Sequence, residues 1–291
     1  MLKKHDRYEY SSIRNRPFFQ WPGKKNFTVY VALNLEHFAF GDGEGAELAP
    51  KRFQPDILNY SWRDYGNRVG VWRLLQLFEE LKLPCALLVN GSIYDYCPEV
   101  VSAFRSRGDE IVAHGMTNAE RQGILEPPAE AALIQKVTDL IAKHEGQPPR
   151  GWLGPWISES VKTPDLLKKA GYRYFLDWAM DDQPIWFKTA FGNIVSVPYP
   201  QELNDIPTIV PNRASATEFA DMIVDQFDEM LLQSQEMPLV FGISLHTYIV
   251  GQPFRLRHLR RALQHVMGKK SSVWLTHPGK IAEHFSSQVS E

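Results

Sequence analysis

Strand-like and helix-like stretches alternate along almost the whole chain, and this alternation limits the fold more than any single motif. Phe27 to Leu35 (FTVYVALNL) reads as a strand, with Val29, Val31, Leu33 and Leu35 on one face and Asn34 and Glu36 on the other by period-two alternation. Residues 69–81 then place Val71, Leu74, Leu75, Phe78 and Leu81 at helical spacing, and 85–89 reads as an apolar strand. The pattern recurs as helix 98–107, strand 110–113, helix 129–144, strand 151–153 with helix 164–170, and strand 174–177. It continues through strand 194–197 with helix 217–232, strand 239–245 with helix 256–267, and strand 272–275 with helix 278–284. Seven or eight such units predict an α/β protein with a parallel sheet closed into a barrel. No repeat, low-complexity tract or linker interrupts them, so a single barrel domain is expected over 27–291, preceded by an irregular arm over 1–26.

The charge balance narrows the partners. Thirty-two Lys and Arg against 34 Asp and Glu give a net charge of -2, without the basic footprint of a nucleic-acid binder or a polybasic membrane patch. No segment reaches the roughly 18 apolar residues of a membrane span, and the N-terminal stretch lacks the apolar core of a signal peptide. Cys85 and Cys97 are too few for a disulfide framework. The expectation is a cytoplasmic protein with a small-molecule partner and neither nucleic acid nor membrane. The aromatic, Arg-rich arm from His5 to Trp21 leaves a homo-oligomer open.

In a parallel barrel the C-terminal strand ends converge on one face and carry the chemistry. The residues just past the expected strands are Glu36, Asn90, His114, Gly154, Asp177, Tyr199, His246 and His277, most of them polar.

Four of these neighbourhoods carry a family resemblance. In the order Asn34-Leu35-Glu36, His114-Gly-Met-Thr-Asn118, Arg150-Gly-Trp-Leu-Gly-Pro155 and Ser244-Leu245-His246, the chain resembles the polysaccharide deacetylase superfamily, also called NodB-like or carbohydrate esterase family 4, over about residues 27 to 285. The resemblance implies a NodB-like irregular (β/α)7-8 barrel. In the deacetylases an aspartate pair on the first strand supplies a base and a metal ligand, and an H-x-x-x-H segment completes the metal site. Here Asn34 or its neighbour stands at the base position and cannot take a proton, Glu36 stands for the metal-binding Asp, and Asn118 for the second His. A zinc site normally has three strong protein ligands, and Glu36 with His114 offers two. No cofactor is therefore expected, with one weakly held divalent metal such as zinc as the alternative.

These departures, with Asp64-Tyr-Gly-Asn-Arg-Val-Gly70, Asp181-Asp-Gln-Pro184, Asn204-Asp-Ile-Pro207 and Gly251-Gln-Pro-Phe-Arg255, are similar to the branch of PuuE-type allantoinases and cyclic imide hydrolases. That likeness implies hydrolysis of a carbon–nitrogen bond by opening a small cyclic amide. Such a reaction needs an activated water, donors for the developing oxyanion and an acid for the leaving nitrogen. Glu36 and His114 are the candidates for the first task and His246 for the last, and which of Glu36 and His114 takes the proton stays open. An imide nitrogen leaves more easily than an amide nitrogen because a second carbonyl shares its charge, which lessens the need for a Lewis acid.

Substrate contacts are expected from Asn118, Trp152, Asp182 and Arg255. Arg255 follows Gly251-Gln-Pro with a fork of donors suited to a carbonyl or carboxylate, and Trp152, Trp156, Trp178 and Trp186 all fall in the expected active-face loops. Each has a plainer reading: core packing for a Trp, a turn for Asp181 and Asp182, a surface ion pair for Arg255. Arg68 is read either beside a helix cap or reaching toward Glu36. His37, His144, His258, His265 and His284 are read as structural or solvated. Two other functions compete with ring opening: a metal-dependent N-deacetylase using Glu36 and His114, and an inactive carbohydrate-binding module that keeps the fold.

Overall fold

A computed structural model describes residues 2–51 and 53–291, so Met1 at the head of the arm lies outside the described residues. The strands are β1 Phe27–Leu35, β2 Ala86–Val89, β3 Glu110–Ala113, β4 Gly151–Trp152, β5 Tyr174–Phe175, β6 Ile185–Phe187, β7 Ile194–Ser196, β8 Leu239–His246 and β9 Trp274–Leu275. They form one sheet in the order β6-β7-β5-β4-β3-β2-β1-β8, with β9 also paired to β1. All pairs are parallel except β6 with β7. Helices connect most of the parallel strands, as right-handed crossovers require. The result is a single-domain irregular half-barrel.

Alternation along β1 assigns its two faces. Phe27, Val29, Val31, Leu33 and Leu35 face the helix layer and share a core with Phe78, Phe104 and Phe227. Tyr30 and Ala32 face the barrel interior with Leu88, Val112, Leu153 and Leu176. Asn34 and then Glu36 continue this interior row to the C-terminal end of the strand. The register completes the placement, since Asn34 lies opposite His246 on β8.

Part of the arm packs against its own barrel, while Tyr10 and Phe18 stay exposed. Phe19 and Trp21 fill the lower end of the interior beside Ile281, Ala282 and Phe285 of the helix Pro278–Gln288. Arg7 pairs with Asp165 at 2.6 Å and Arg16 with Asp181 at 2.5 Å, clamping the arm to its own barrel.

Two expected boundaries move. The helix predicted from residue 69 begins earlier, as Ile57–Tyr65, and runs through a π-helical turn, Gly66–Gly70, into Val71–Leu81. The stretch Asp64–Arg68, expected ahead of the helix as its cap, lies within the helical run, and the glycines at 66 and 70 do not break it. They serve close approach instead: a Cβ on Gly66 would lie 2.4 Å from Thr247 Oγ1, and one on Gly70 would lie 2.1 Å from the Thr247 carbonyl. Arg68 accordingly sits on the outside of this helix, 4.0 Å from Asp64 and largely exposed, and does not reach Glu36.

The other shift is β6, an antiparallel edge strand where a loop was expected, so Trp186 belongs to the sheet. The barrel's two edges meet just before it, where the Asp182 carbonyl accepts a hydrogen bond from Val240 N–H at 2.9 Å and the Gln183 side chain donates to the Pro238 carbonyl at 2.7 Å. No described helix is long and apolar enough to cross a membrane.

Candidate active site

Of the eight strand-end residues, Glu36, His114, Gly154, Tyr199 and His246 line one cavity of about 170 Å³. Asn90 and Asp177 stand directly behind its walls, Asn90 bonded to Asn118 and Asp177 to Gly154 N–H. His277 is elsewhere. Its strand β9 pairs with Thr28 and Val29 at the beginning of β1, and this leaves His277 at the opposite end of the barrel beside Asp109, Glu110 and Arg150.

Glu36 is the hub. Its Oε1 accepts from the Asn118 amide, its Oε2 accepts from the Tyr248 hydroxyl at 2.9 Å, and Oε1 lies 3.6 Å from His114 Nε2 and 3.5 Å from His246 Nε2. Burial disfavours the carboxylate charge, but the positive charge of His246 outweighs it, holding the carboxyl down at about 2. His246 is the counterpart. Its Nδ1 lies 2.6 Å from Asp205 Oδ1 and its backbone N–H donates to Asp205 Oδ2 at 2.9 Å. Burial works against the imidazolium, yet the charges of Glu36 and Asp205 raise it to about 9. At neutral pH the centre is therefore an ionised Glu36 facing a protonated His246.

His114 is set differently. Its Nδ1 meets the Leu153 carbonyl at 2.8 Å, and because a carbonyl can only accept, Nδ1 carries the proton. Its buried Nε2 has no hydrogen-bond partner among the described residues. In the neutral ring this nitrogen presents a lone pair toward the space beside Glu36.

The orientation of Asn118 decides whether the site suits a metal. His37 N–H donates to Asn90 Oδ1 at 2.8 Å, so Asn90 Nδ2 faces the His114 carbonyl and, at 3.0 Å, Asn118 Oδ1. Asn118 must then turn its amide N–H to Glu36. Both ends of the Asn90 carboxamide meet backbone groups of fixed polarity, His37 N–H and the His114 carbonyl, which removes the usual ambiguity of amide orientation. Where the deacetylases place a metal-binding histidine, this chain presents a donor proton, and its carboxamide oxygen is already occupied. Two lone-pair donors, Glu36 and His114, do not make a three-ligand zinc site, and no group of three or more His, Cys, Asp or Glu among the described residues has metal-binding geometry. The residues do not fit a tightly held divalent metal.

Asn34 directs its amide at Tyr199 (3.0 Å), Ser244 (3.3 Å) and the Leu245 carbonyl (3.1 Å), tying β1 to β8 below the cavity. Trp156 and Ile157 form the outer wall in left-handed backbone conformations, φ 61° and 52°. The Trp156 indole donates to the Asn118 carbonyl at 3.0 Å, and Arg121 covers its outer face at 5.1 Å.

Three expected substrate contacts lie outside the cavity. Trp152 faces the helix layer, fully buried edge-on against Tyr172, while the next residue, Leu153, faces the interior. Asp182 closes the barrel through its backbone carbonyl. Arg255 opens the helix Pro253–Gly268 with its guanidinium over Phe254 and 3.4 Å from the Ile249 carbonyl. Sequence reasoning missed Asp205 and Tyr248, while Trp156, one of the four loop tryptophans it singled out, does line the cavity. The Asn204-Asp-Ile-Pro207 stretch carries the signal for Asp205, since Asn204 caps the five-residue helix Asp205–Ile209 and turns Asp205 inward. A larger cavity of about 590 Å³ lies under the arm, lined by Tyr8, Phe19, Trp186 and Phe285. It contains no histidine, and Arg16 and Asp181 in its wall are already paired.

Residues 60–175 match the family model of the polysaccharide deacetylases. A provisionally named polysaccharide deacetylase of Schizosaccharomyces pombe is 27% identical over 92% of this chain and 92% of its own. Residues 60–175 thus carry the deacetylase pattern, and the chain as a whole is similar to deacetylases. The deacetylases it resembles are hydrolases of carbon–nitrogen bonds other than peptide bonds. A peptidoglycan deacetylase of Helicobacter pylori is 24% identical over 76% of this chain and 85% of its own. Among solved structures, a provisionally assigned polysaccharide deacetylase from Pseudomonas aeruginosa superposes with a TM-score of 0.84 at 26% identity, covering 94% of this chain and 95% of that one. PuuE allantoinase shares the fold with a TM-score of 0.86 at 24% identity, covering 98% of this chain and all of the other.

Proposed function

We propose that this protein opens the ring of a small cyclic amide, an imide or ureide, without a resident metal. The observation that carries the reading is the fixed Asn118 amide, which points a proton at Glu36 where the deacetylase pattern needs a ligand lone pair. The cavity of about 170 Å³, walled by Trp156, Ile157, Ile206 and Pro207, suits a small ring better than a polymer strand.

The residues divide the work as follows. His114 Nε2 takes a proton from water, which adds to the ring carbonyl. Glu36 is a poor base at about 2, and both its oxygens already accept hydrogen bonds; it orients the water and stabilises the imidazolium formed at His114. The tetrahedral intermediate collapses by breaking the carbon–nitrogen bond as His246 Nε2 gives its proton to the leaving nitrogen. The products are a carboxylic acid and a primary amide or urea. Glu36 Oε1, 3.6 and 3.5 Å from the two Nε2 atoms, lies on the path that returns the proton from His114 to His246. Asp205 keeps His246 in the tautomer and orientation this step needs. A base or acid so placed contributes roughly 10²–10⁴-fold each.

The names of the relatives favour a second reading, deacetylation of an N-acetylated sugar. Chelator-treated protein is assayed on succinimide, dihydrouracil, hydantoin and allantoin beside N-acetylglucosamine oligomers, with and without added zinc. Ring opening that survives chelation is the expected result. Turnover of acetylated sugars alone, and only with zinc, would overturn it in favour of the deacetylase.

A further inference from the structure

Four carboxamides line the cavity, and three are committed to the protein. Asn34 bridges β1 and β8, Asn118 joins Asn90 to Glu36, and Asn204 accepts from Ile206 N–H as a helix cap. Gln201 is the fourth. Its Nε2 is buried with no partner, and neither end of its carboxamide makes a hydrogen bond among the described residues. A buried amide donor left unpaired is destabilising, so such a group in a binding cavity calls for an occupant.

A primary carboxamide presents one C=O and one N–H side by side on the same edge. An acyclic secondary amide is trans, with its own C=O and N–H on opposite sides, whereas a five- or six-membered ring forces the cis form and brings both to one edge. Two antiparallel hydrogen bonds then form between the carboxamide and the ring, and a trans N-substituted acetamide can form one. We propose that Gln201 is the specificity-determining residue that reads the cis C(=O)–NH edge of a ring substrate, donating to a ring carbonyl and accepting from the ring N–H. This rests on the ring-opening reading above. In an imide the edge read by Gln201 uses one carbonyl and leaves the second, across the nitrogen, for the water beside His114. When the far carbon–nitrogen bond breaks, the charge on the leaving nitrogen spreads onto the carbonyl that Gln201 holds, so the same hydrogen bond strengthens as the reaction proceeds.

The test crosses a protein change with a ligand change. Wild type and Gln201→Met are compared on succinimide and on N-methylsuccinimide, which keeps both carbonyls and loses the N–H edge. Either change alone should lower kcat/KM by about 10- to 100-fold, and the second should add little once the first is made. Independent, multiplicative losses would overturn the proposal, as would wild type accepting the methylated ring equally well. The latter comparison needs no substitution and stands even if the variant folds poorly. If Gln201→Met leaves succinimide turnover unchanged, the carboxamide holds a water and the proposal fails.

Calorimetric binding of succinimide and N-methylacetamide to Glu36→Gln, with and without Gln201→Met, separates this from the wider reading. Succinimide binding that depends on Gln201, together with a wild type that opens no ring, would refute ring opening and retain the recognition. Absence of succinimide binding, or equal binding of N-methylacetamide, would refute the recognition itself.

Discussion

Two buried carboxylate centres lie at the same end of the barrel and have opposite electrostatics. Glu36 sits between two imidazoles with both oxygens hydrogen-bonded, and its carboxyl is held down at about 2. Behind the cavity wall, Asp177 uses one oxygen on Gly154 N–H at 2.7 Å and Glu159 uses one on the Trp178 indole at 2.8 Å. The remaining oxygen of each is buried without a partner. Burial raises Asp177 to about 7, and burial followed by the charge of Asp177 raises Glu159 well above the carboxylate range. Desolvation is the same in kind at both places. The difference is company: a charged imidazole, His246, at one, a second carboxyl at the other. One centre holds a negative charge ready for chemistry, and the other favours protonation behind the Trp156–Ile157 wall.

The largest effect should come from neutralising the first centre. Glu36→Gln removes the charge that keeps His246 protonated and steadies an imidazolium at His114, so kcat/KM should fall by about 10³-fold or more. A fall below tenfold would make Glu36 a mere scaffold. Asp205→Asn should come next, with a loss of about 10²-fold and a displaced pH profile. With His246 acting as the acid, kcat/KM of wild type falls as pH rises through about 9. Without the Asp205 charge that limb should move to lower pH, and an unmoved limb would assign it to another group.

Stability should follow the same partition. His246, raised in the fold, stabilises fully below its unfolded value near 6.5, and this contribution disappears as pH rises through about 9. Glu36, lowered in the fold, stabilises above its unfolded value near 4.5 and loses that contribution as pH falls through about 2. Asp177 has the opposite sign for an acid: its raised value makes wild type lose stability as pH climbs from about 4 to about 7. Asp177→Asn keeps an acceptor for Gly154 N–H and needs no proton. At pH 8 it should unfold at higher denaturant than wild type, by on the order of 1 kcal/mol, with that part of the pH dependence flattened. A variant less stable than wild type at pH 8 would show that the charged form is the one the wall is built on.

The contrast between the centres also explains how far the sequence could be read. Glu36, His114 and His246 are legible because each directly follows an apolar strand, and parallel strands in register must bring such residues together. Asn118 is legible through its spacing from His114, though its amide orientation depends on His37 and Asn90, which meet it only in the fold. Asp205 and Tyr248 come from segments that follow β7 and β8 through short helices, where no period marks which way a side chain points. Trp152 shows the limit most sharply. One residue of phase on a two-residue strand separates it from Leu153, which lines the cavity.

Asp182 offers the smallest expected effect and a close control for the comparison. Like Asp177 its carboxyl is raised above the ordinary value, first by burial and then by the neighbouring Asp181. Unlike Asp177 its side chain makes no hydrogen bond among the described residues, and it lies beyond Tyr199 and Gln201, outside the lining of the Glu36 cavity: its structural task, closing the barrel onto Val240, belongs to the backbone carbonyl and survives any change of side chain. Asp182→Asn should therefore leave kcat/KM within about twofold and stability within about 0.5 kcal/mol, the usual range for a side chain with no specific partner. A raised carboxyl would then matter at Asp177 because of what it supports, since the same direction of shift at Asp182 supports nothing. A tenfold loss of kcat/KM in Asp182→Asn, at unchanged stability, would return Asp182 to the substrate and refute its placement outside the site.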